Sequence, residues 1–459
     1  MRRPIAILLS LLTLAAAPIP SDAKTKAMLQ RWGDARAGEL IEEGLNAVHR
    51  KDLKRAKRLS VELQAAYPNE PARFVIDFAA AASVPSSYAA TLFVRMAAER
   101  ATVLSSPLPL IDPKDVRTAS YVATGQDNLR MARALLNSRW SSGPAGQEQT
   151  VARRTLIDDA LQRHAVADAA TLLDGLDDPF TLRDMLILDK YQPLQSTIIT
   201  RWSADLSGLD RERGERLTTS ARDQSPTALA FWAEWLISHG RTVEAWTVVR
   251  PAISTNGLLP FDRSIVILTA ARAAVRAGSS EEALALIDRF TAPLEPDDVV
   301  RISVLTAKAV MLGDLERPTE ALILSKALQR AAYKDHGWIE ASLKRIEVCA
   351  TADMGDTEGA HRQLAVLMDF GGAELFKAQA LLCLGETEPA TAITAGALKR
   401  HDALETLRWL QRQPEPSWGK WQKRWNNGFA LMGNRSELVA ALAGYAVIRN
   451  FAVREVELE

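Results

Sequence analysis

The sequence has little of what marks most classes of enzyme. Its 459 residues include only 2 cysteines and 6 histidines, and aromatic residues make up 6%. The histidines are scattered, and none of them forms a pair at the spacing typical of metal ligands. The motifs G-x-S-x-G, H-E-x-x-H and G-x-G-x-x-G are also missing, so the sequence carries no signature of a serine hydrolase, a zinc protease or a dinucleotide-binding enzyme. We therefore expect a non-catalytic protein without a cofactor.

Neither sign of charge is in excess, because 56 lysine and arginine residues balance 56 aspartate and glutamate residues. Affinity for nucleic acid depends largely on basic residues that neutralise phosphates, so we expect no nucleic-acid partner. Clusters of β-branched residues with regular turn signals are missing as well, which argues against a β-sandwich or barrel. Alanine and leucine are plentiful instead. The composition therefore predicts an all-α chain.

The first residues have the order typical of a secretory signal peptide. Arg2 and Arg3 precede an apolar run at 5–17, and small residues follow up to Ala23. The run is too short to span a bilayer of roughly 30 Å as a helix, and no later segment offers the ~18 uncharged apolar residues of a spanning helix. We predict that residues 1–23 are a signal peptide cleaved after Ala23, and that the mature chain is periplasmic and has no membrane span.

A short turn signature recurs along the second half of the chain. Each copy has a glycine, a serine or threonine two residues later, and an alanine five residues after the glycine. Glycine can adopt the left-handed conformation that ends a helix, and a hydroxyl side chain can cap the start of the next one. The glycines are Gly240, Gly278, Gly355 and Gly385, and the expected caps are Thr242, Ser280, Thr357 and Thr387. A fifth copy, with a longer turn, begins at Gly313. The signature predicts a series of helical hairpins.

Small residues recur in step with these turns. The alanines that close the copies are Ala245, Ala283, Ala321, Ala360 and Ala390, separated by 38, 38, 39 and 30 residues. Twelve residues before them stand Ala233, Ala271, Ala309, Val348 and Ala378. In the first part of the chain, Gly44, Ala56 and Pro68 follow one another at the same interval of twelve. Because closely crossing helices leave no room for a branched side chain, we interpret Gly44 and Ala56 as the contact within a hairpin that Pro68 ends.

With glycine, alanine and proline at these intervals, the chain resembles the tetratricopeptide repeat family, whose unit has about 34 residues. The resemblance covers 36–70 and 228–402. The family's large residues are missing from the first copy, where Leu40, Glu43, Ala47 and Ser60 stand in their places. The final third is also similar to exported tetratricopeptide proteins of Gram-negative bacteria. The resemblance implies a degenerate α-α superhelix of helical hairpins, acting as a scaffold for a protein partner in the cell envelope.

The spacing of these signals divides the chain into four parts after the signal peptide. They are an N-terminal helical region at 24–145, an irregular helical middle at 146–227, the repeats at 228–402 and capping helices at 403–459. The loop at 141–149, rich in serine and glycine, is the expected boundary between lobes. Within the middle, 155–176 could be a pair of helices joined near His164 and closed by Gly175.

Two sets of residues are candidates for binding a partner. In the tetratricopeptide family the first helix of each unit lines the inner surface of the superhelix, and the same register implies a set of inward-facing residues here. These residues are Ser342, Arg345, Cys349, Asp353, Gln379 and Cys383. The second set is Trp418, Trp421 and Trp425, whose spacing places three indoles on one face of a helix.

We interpret this tryptophan stripe as the buried face of a terminal helix that covers the open end of the array, because stripes at helical spacing usually belong to a core. The alternative is an aromatic platform for peptidoglycan or an exported polysaccharide, edged by Lys420, Lys423 and Arg424. A cell-wall hydrolase is the third interpretation. It has the least support, because carboxylate pairs such as Asp158 and Asp159 are sequence neighbours that do not face each other across a sugar.

The two cysteines lie on the first helices of adjacent units. Counted from the closing alanines Ala360 and Ala390, however, Cys349 and Cys383 are one helical turn out of step. A disulfide requires Cα atoms within about 7 Å, so the register favours two buried thiols. Export to an oxidising compartment would favour a bridge. The sequence leaves both states open.

Overall fold

The computed structural model describes residues 35–68, 74–83, 91–94, 125–137, 147–222, 225–255, 258, 260–330, 337–400, 404–411, 419–449 and 451. The expected signal peptide and Trp418 lie outside these ranges. The described residues are helical apart from turns and one isolated antiparallel bridge, between Leu188 and Ala446. The expectation of an all-α fold is therefore confirmed.

The chain divides into two compact units, Met1–Leu176 and Asp177–Glu459. This division falls later in the chain than the loop at 141–149, where turn-forming residues suggested a boundary. The first unit contains α1 (Ala35–His49), α2 (Leu53–Ala66), α3 (Val75–Ser83), α4 (Gly125–Asn137), α5 (Gln147–Gln162) and α6 (Val166–Leu172), and residues 91–94 are also helical.

The glycine in α1 is required by the packing of α3. A Cβ atom on Gly44 would overlap the side chain of Ile76, which lies in α3. Ala56, in α2, is completely buried. The close approach that needs a glycine is thus between α1 and α3, whereas α1 and α2 pack together as the two helices of the predicted hairpin.

The second unit contains sixteen described α-helices. They are α7 (Pro179–Ile187), α8 (Gln192–Trp202), α9 (Ser207–Ala221), α10 (Pro226–Ser238), α11 (Thr242–Val249), α12 (Pro260–Arg276), α13 (Ser280–Thr291), α14 (Val299–Asp314), α15 (Pro318–Arg330), α16 (Gly337–Asp353), α17 (Thr357–Met368), α18 (Glu374–Cys383), α19 (Thr387–Lys399), α20 (Leu404–Leu410), α21 (Lys420–Gly433) and α22 (Ser436–Leu442).

Five consecutive hairpins, from α10–α11 to α18–α19, stack in chain order. Each first helix packs against the first helix of the next hairpin, whereas each second helix packs against its own partner and the next first helix. The first helices therefore form the more closely packed inner layer of an α-α superhelix, and the second helices form its outer layer. This arrangement confirms the superhelical fold class.

The small residues of the repeat are buried where the helices cross. All five closing alanines have no exposed surface, and neither do the five small or β-branched residues that precede them by twelve positions. Any larger side chain at these positions would separate the helices, because protein cores are close-packed. The periodic small residues thus mark the helix contacts as the sequence predicted.

One turn geometry joins the two helices of each hairpin, and it occurs more often than the glycine signature indicates. A residue with positive φ ends the first helix, its N–H bonds the carbonyl three residues back, and the next N–H bonds the carbonyl five residues before it. This is the Schellman motif. The positive-φ residues are Lys51, His164, Gly240, Gly278, Glu316, Gly355 and Gly385. A completely buried alanine follows each of them after five residues.

This geometry corrects one predicted turn and confirms another. The fifth copy does not begin at Gly313, because α14 continues to Asp314 and the left-handed residue is Glu316, with φ 59°. Its turn therefore has the same length as the others. In the middle of the chain, the predicted helix pair joined near His164 is confirmed, since α5 and α6 meet there at φ 58°.

The serine and threonine residues of the signature do not cap the second helices as expected. The N-cap is the residue before each of them, as Asp356 is for α17, where its carboxylate accepts from the Gly359 N–H at 2.8 Å. The hydroxyl residue is the first helical residue instead. The Thr242 hydroxyl donates to the Arg276 carbonyl at 3.3 Å, which connects one hairpin with the next.

Candidate functional site

The inner face of α14, α16 and α18, called the inner groove below, is occupied by α21 of the same chain. α21 packs against α14 and α18, and its side chains contact α16 between them. Its apolar face consists of Trp421, Trp425, Phe429 and Met432, and none of these four side chains has exposed surface. The predicted inward-facing residues and the predicted tryptophan stripe therefore meet each other.

Two aspartates at the C-terminal ends of the first helices hold the start of α21. One carboxylate oxygen of Asp314 accepts from the backbone N–H groups of Trp421 and Gln422, at 2.9 and 3.0 Å. Helix α21 thus receives its N-terminal cap from α14, because its own N-cap residue, Gly419, has no side chain to do so. A carboxylate at this end is also favoured by the helix dipole.

The second aspartate, Asp353, binds three side chains of α21. It accepts from the Trp421 indole N–H at 2.8 Å and from Arg424 at 2.8 Å, and it pairs with Lys420 at 3.1 Å. Burial by itself would raise the pKa of Asp353, but the hydrogen bonds from Arg424, Trp421 and Lys420 outweigh it and lower the pKa below its ordinary value. The ionised carboxylate is therefore the stable form beneath α21.

A buried arginine connects the two first helices with α21. The Arg345 side chain, in a residue only 1% exposed, donates to Gln379 at 2.5 Å and to Ser342 at 3.1 Å. Its guanidinium lies 4.8 Å from the ring centre of Phe376 and 4.7 Å from that of Trp425. Cation–π contacts of this kind are strongest where water is excluded.

The two cysteines form a disulfide under α21, which corrects the expectation of two buried thiols. The Cα atoms of Cys349 and Cys383 are 5.1 Å apart, and the Trp425 indole N–H donates to the Cys383 sulfur at 3.3 Å. The closing alanines of these hairpins are 30 residues apart, yet the disulfide and the Arg345–Gln379 bond both join residues 34 apart. Helix α18 is thus shifted by about one turn relative to the turn register, and this shift aligns the cysteines.

The candidate residues do not line an open surface. Ser342, Arg345, Cys349, Gln379 and Cys383 are all buried, and the Asp353 side chain is only 5% exposed. The interpretation of the tryptophan stripe as core is confirmed for Trp421 and Trp425. The helix that carries them fills the inner groove, and α22 packs against α19, the last helix of the array. As buried residues, these two tryptophans offer no platform to a glycan, and Trp418 lies outside the described residues.

The beginning of the second unit is bound to its end. The Val447 N–H donates to the Ile187 carbonyl at 2.8 Å, and the Asp189 N–H donates to the Tyr445 carbonyl at 2.9 Å. Nearby, Arg408 of α20 donates to the buried carboxylate of Asp184 in α7 at 2.8 Å. These contacts could not be predicted from the sequence, because they join residues more than 200 positions apart and have no local signal.

Neither a protein-family model nor a curated protein matches this chain. Histidine, cysteine, aspartate and glutamate side chains within the described ranges form no group of three that could hold a metal ion. None of the helices described above is long and apolar enough to cross a membrane.

Proposed function

We propose that the protein is an exported, non-catalytic scaffold, similar in construction to tetratricopeptide proteins, which holds a protein partner in the periplasm. The single observation that carries the proposal is the disulfide between two first helices of the superhelix, Cys349–Cys383. Disulfides persist in oxidising compartments and are rare in the cytosol. This supports export, and the order of basic, apolar and small residues at 1–23 supports it independently.

The scaffold role is supported by how firmly the hairpins are connected. Arg317, which follows the turn residue Glu316, binds Glu320 of its own hairpin and Glu281 of the preceding one, each at 2.6 Å. His361 of α17 binds Glu386, which lies in the next turn, at 2.7 Å. Individual surface pairs stabilise little, but several of them along one edge restrict the hairpins relative to each other. A rigid superhelix offers a partner an extended surface of fixed shape.

The proposal is tested by crosslinking in living cells, followed by fractionation and identification of the captured species. We expect the protein in the periplasmic fraction, with both cysteines protected from alkylation until a reductant is added, and with one dominant protein crosslinked to it. Free thiols and a cytoplasmic location would contradict export. Sedimentation with purified cell walls tests the alternative of glycan recognition, because cosedimentation of the purified chain alone would contradict a protein client. Turnover of wall fragments would favour a hydrolase.

A further inference from the structure

We propose that α21 occupies the binding site of the client in the free protein and can be released from it. The inner groove then binds a client helix with the same chemistry as α21. This inference rests on the scaffold function proposed above, and it adds which surface is used and what the client must carry. In the free protein the groove is closed by the chain itself, so binding a client requires α21 to leave.

The first requirement on the client is a pair of aromatic residues four positions apart. Trp421 lies against Gly313 of α14, where any Cβ atom would overlap its indole. Trp425 lies over Arg345 and beside the disulfide. The groove thus provides two surfaces for an aromatic ring, one against a glycine and the other against a buried guanidinium group.

The second requirement is positive charge beside each aromatic residue. Lys420 and Arg424 each precede a tryptophan, and both bind the carboxylate of Asp353. Asp314 binds the first backbone N–H groups of the helix, which fixes its direction. A client helix must therefore enter with its N-terminus at the C-terminal ends of α14 and α16.

The third requirement is a small residue seven positions after the first aromatic one. A Cβ atom on Gly428 would overlap the side chain of Leu382 in α18, so only glycine allows the present distance between the helices. The complete pattern is a basic and an aromatic residue, two residues of any type, a second basic and aromatic pair, two further residues, and glycine. In this chain it runs from Lys420 to Gly428.

The fit of α21 in the groove leaves polar groups unsatisfied, which supports its being replaceable. The amide nitrogen of Gln379 and the side-chain oxygen of Asn426 are buried and have no hydrogen-bond partner among the described residues. Buried polar groups are normally paired, and leaving them unpaired costs stability. Asn426 belongs to α21 itself, so a client helix with an apolar or fully paired side chain at this position would avoid that cost.

The test uses the full chain and a labelled peptide with the sequence of residues 419–434. In the variant with Lys420→Ala and Arg424→Ala, the resident helix loses its charged contacts to Asp353, whereas the peptide retains them. We expect the peptide to bind this variant more than about tenfold tighter than the control variant Lys423→Ala, because Lys423 is an exposed residue of the same helix. Adding Asp353→Asn should abolish the gain, which would place the peptide in the groove.

Equal peptide binding by the two variants would overturn the proposal, and so would failure of the double variant to fold, since α21 would then be permanent core. A second measurement is the rate at which a small thiol reduces Cys349–Cys383. We expect faster reduction in the double variant than in Lys423→Ala at unchanged helix content, because α21 covers the disulfide. An unchanged rate would also contradict release. Cellular crosslinking of a client despite these failures would leave the scaffold function standing and remove only this inference.

Discussion

Replacing Glu316 by glycine should stabilise the second unit, although the side chain is removed from an ordinary surface position. Glu316 occupies the left-handed position of its Schellman turn, with φ 59°, where Gly278 and Gly355 stand in the neighbouring turns. A residue with a Cβ atom loses roughly 1–2 kcal/mol in this conformation. Glycine avoids that loss, but the greater conformational freedom that it gives the unfolded chain offsets about 0.5–1 kcal/mol of the stabilisation. We therefore expect Glu316→Gly to raise the free energy of unfolding by about 0.5–1 kcal/mol.

The assay is urea unfolding followed by circular dichroism, with two matched variants. Gly278→Ala makes the opposite change at an equivalent position and should destabilise by about 1 kcal/mol. Lys326→Gly places glycine at an exposed position inside α15 and should cost about 1 kcal/mol through helix propensity alone. If Glu316→Gly lowers the stability as much as Lys326→Gly does, the assignment of a common turn to all these hairpins is refuted.

Three further predictions concern α21 and the groove beneath it. Replacing Cys349 and Cys383 by serine opens a loop of 34 residues and should lower the free energy of unfolding by about 4 kcal/mol, measured in urea against the oxidised wild type. Gly313→Ala forces a Cβ atom onto Trp421 and should destabilise by about 1–3 kcal/mol, measured as a lower melting temperature. Because the pKa of Asp353 is lowered in the fold, its stabilisation is complete above the unfolded pKa and is lost as the pH falls through the folded value. Below about pH 4, the free energy of unfolding of the wild type should therefore fall, and that of Asp353→Asn should fall less.

The turn geometry could be predicted from the sequence where the left-handed residue is glycine, and it could not where another residue takes the same conformation. Lys51, His164 and Glu316 have positive φ in turns that match the glycine turns hydrogen bond for hydrogen bond. Side-chain type gives no sign of this at those positions. The buried alanine five residues later, as in Ala169, was the available signal, since it accompanies every one of these turns.

The candidate site was identified by residue but not by arrangement. The register placed Arg345 and Asp353 on the inner face, and the spacing of the tryptophans placed Trp421 and Trp425 on one helical face. What joins the two sets is contact over long separations, such as the 107 residues between Asp314 and Trp421. Periodicity describes a helix and its neighbours along the chain, and it contains no information about which distant helix fills a groove.

Closure of the second unit through Leu188 and Ala446 has a consequence for how the protein can vary. A solenoid with two free ends can gain or lose hairpins there, because each hairpin depends only on its neighbours. Here an added or deleted hairpin would move α7 away from the final segment and break the contact of Arg408 with Asp184. The number of hairpins is therefore fixed by the need of the two ends to meet, and homologous chains should vary in their loops at constant hairpin number.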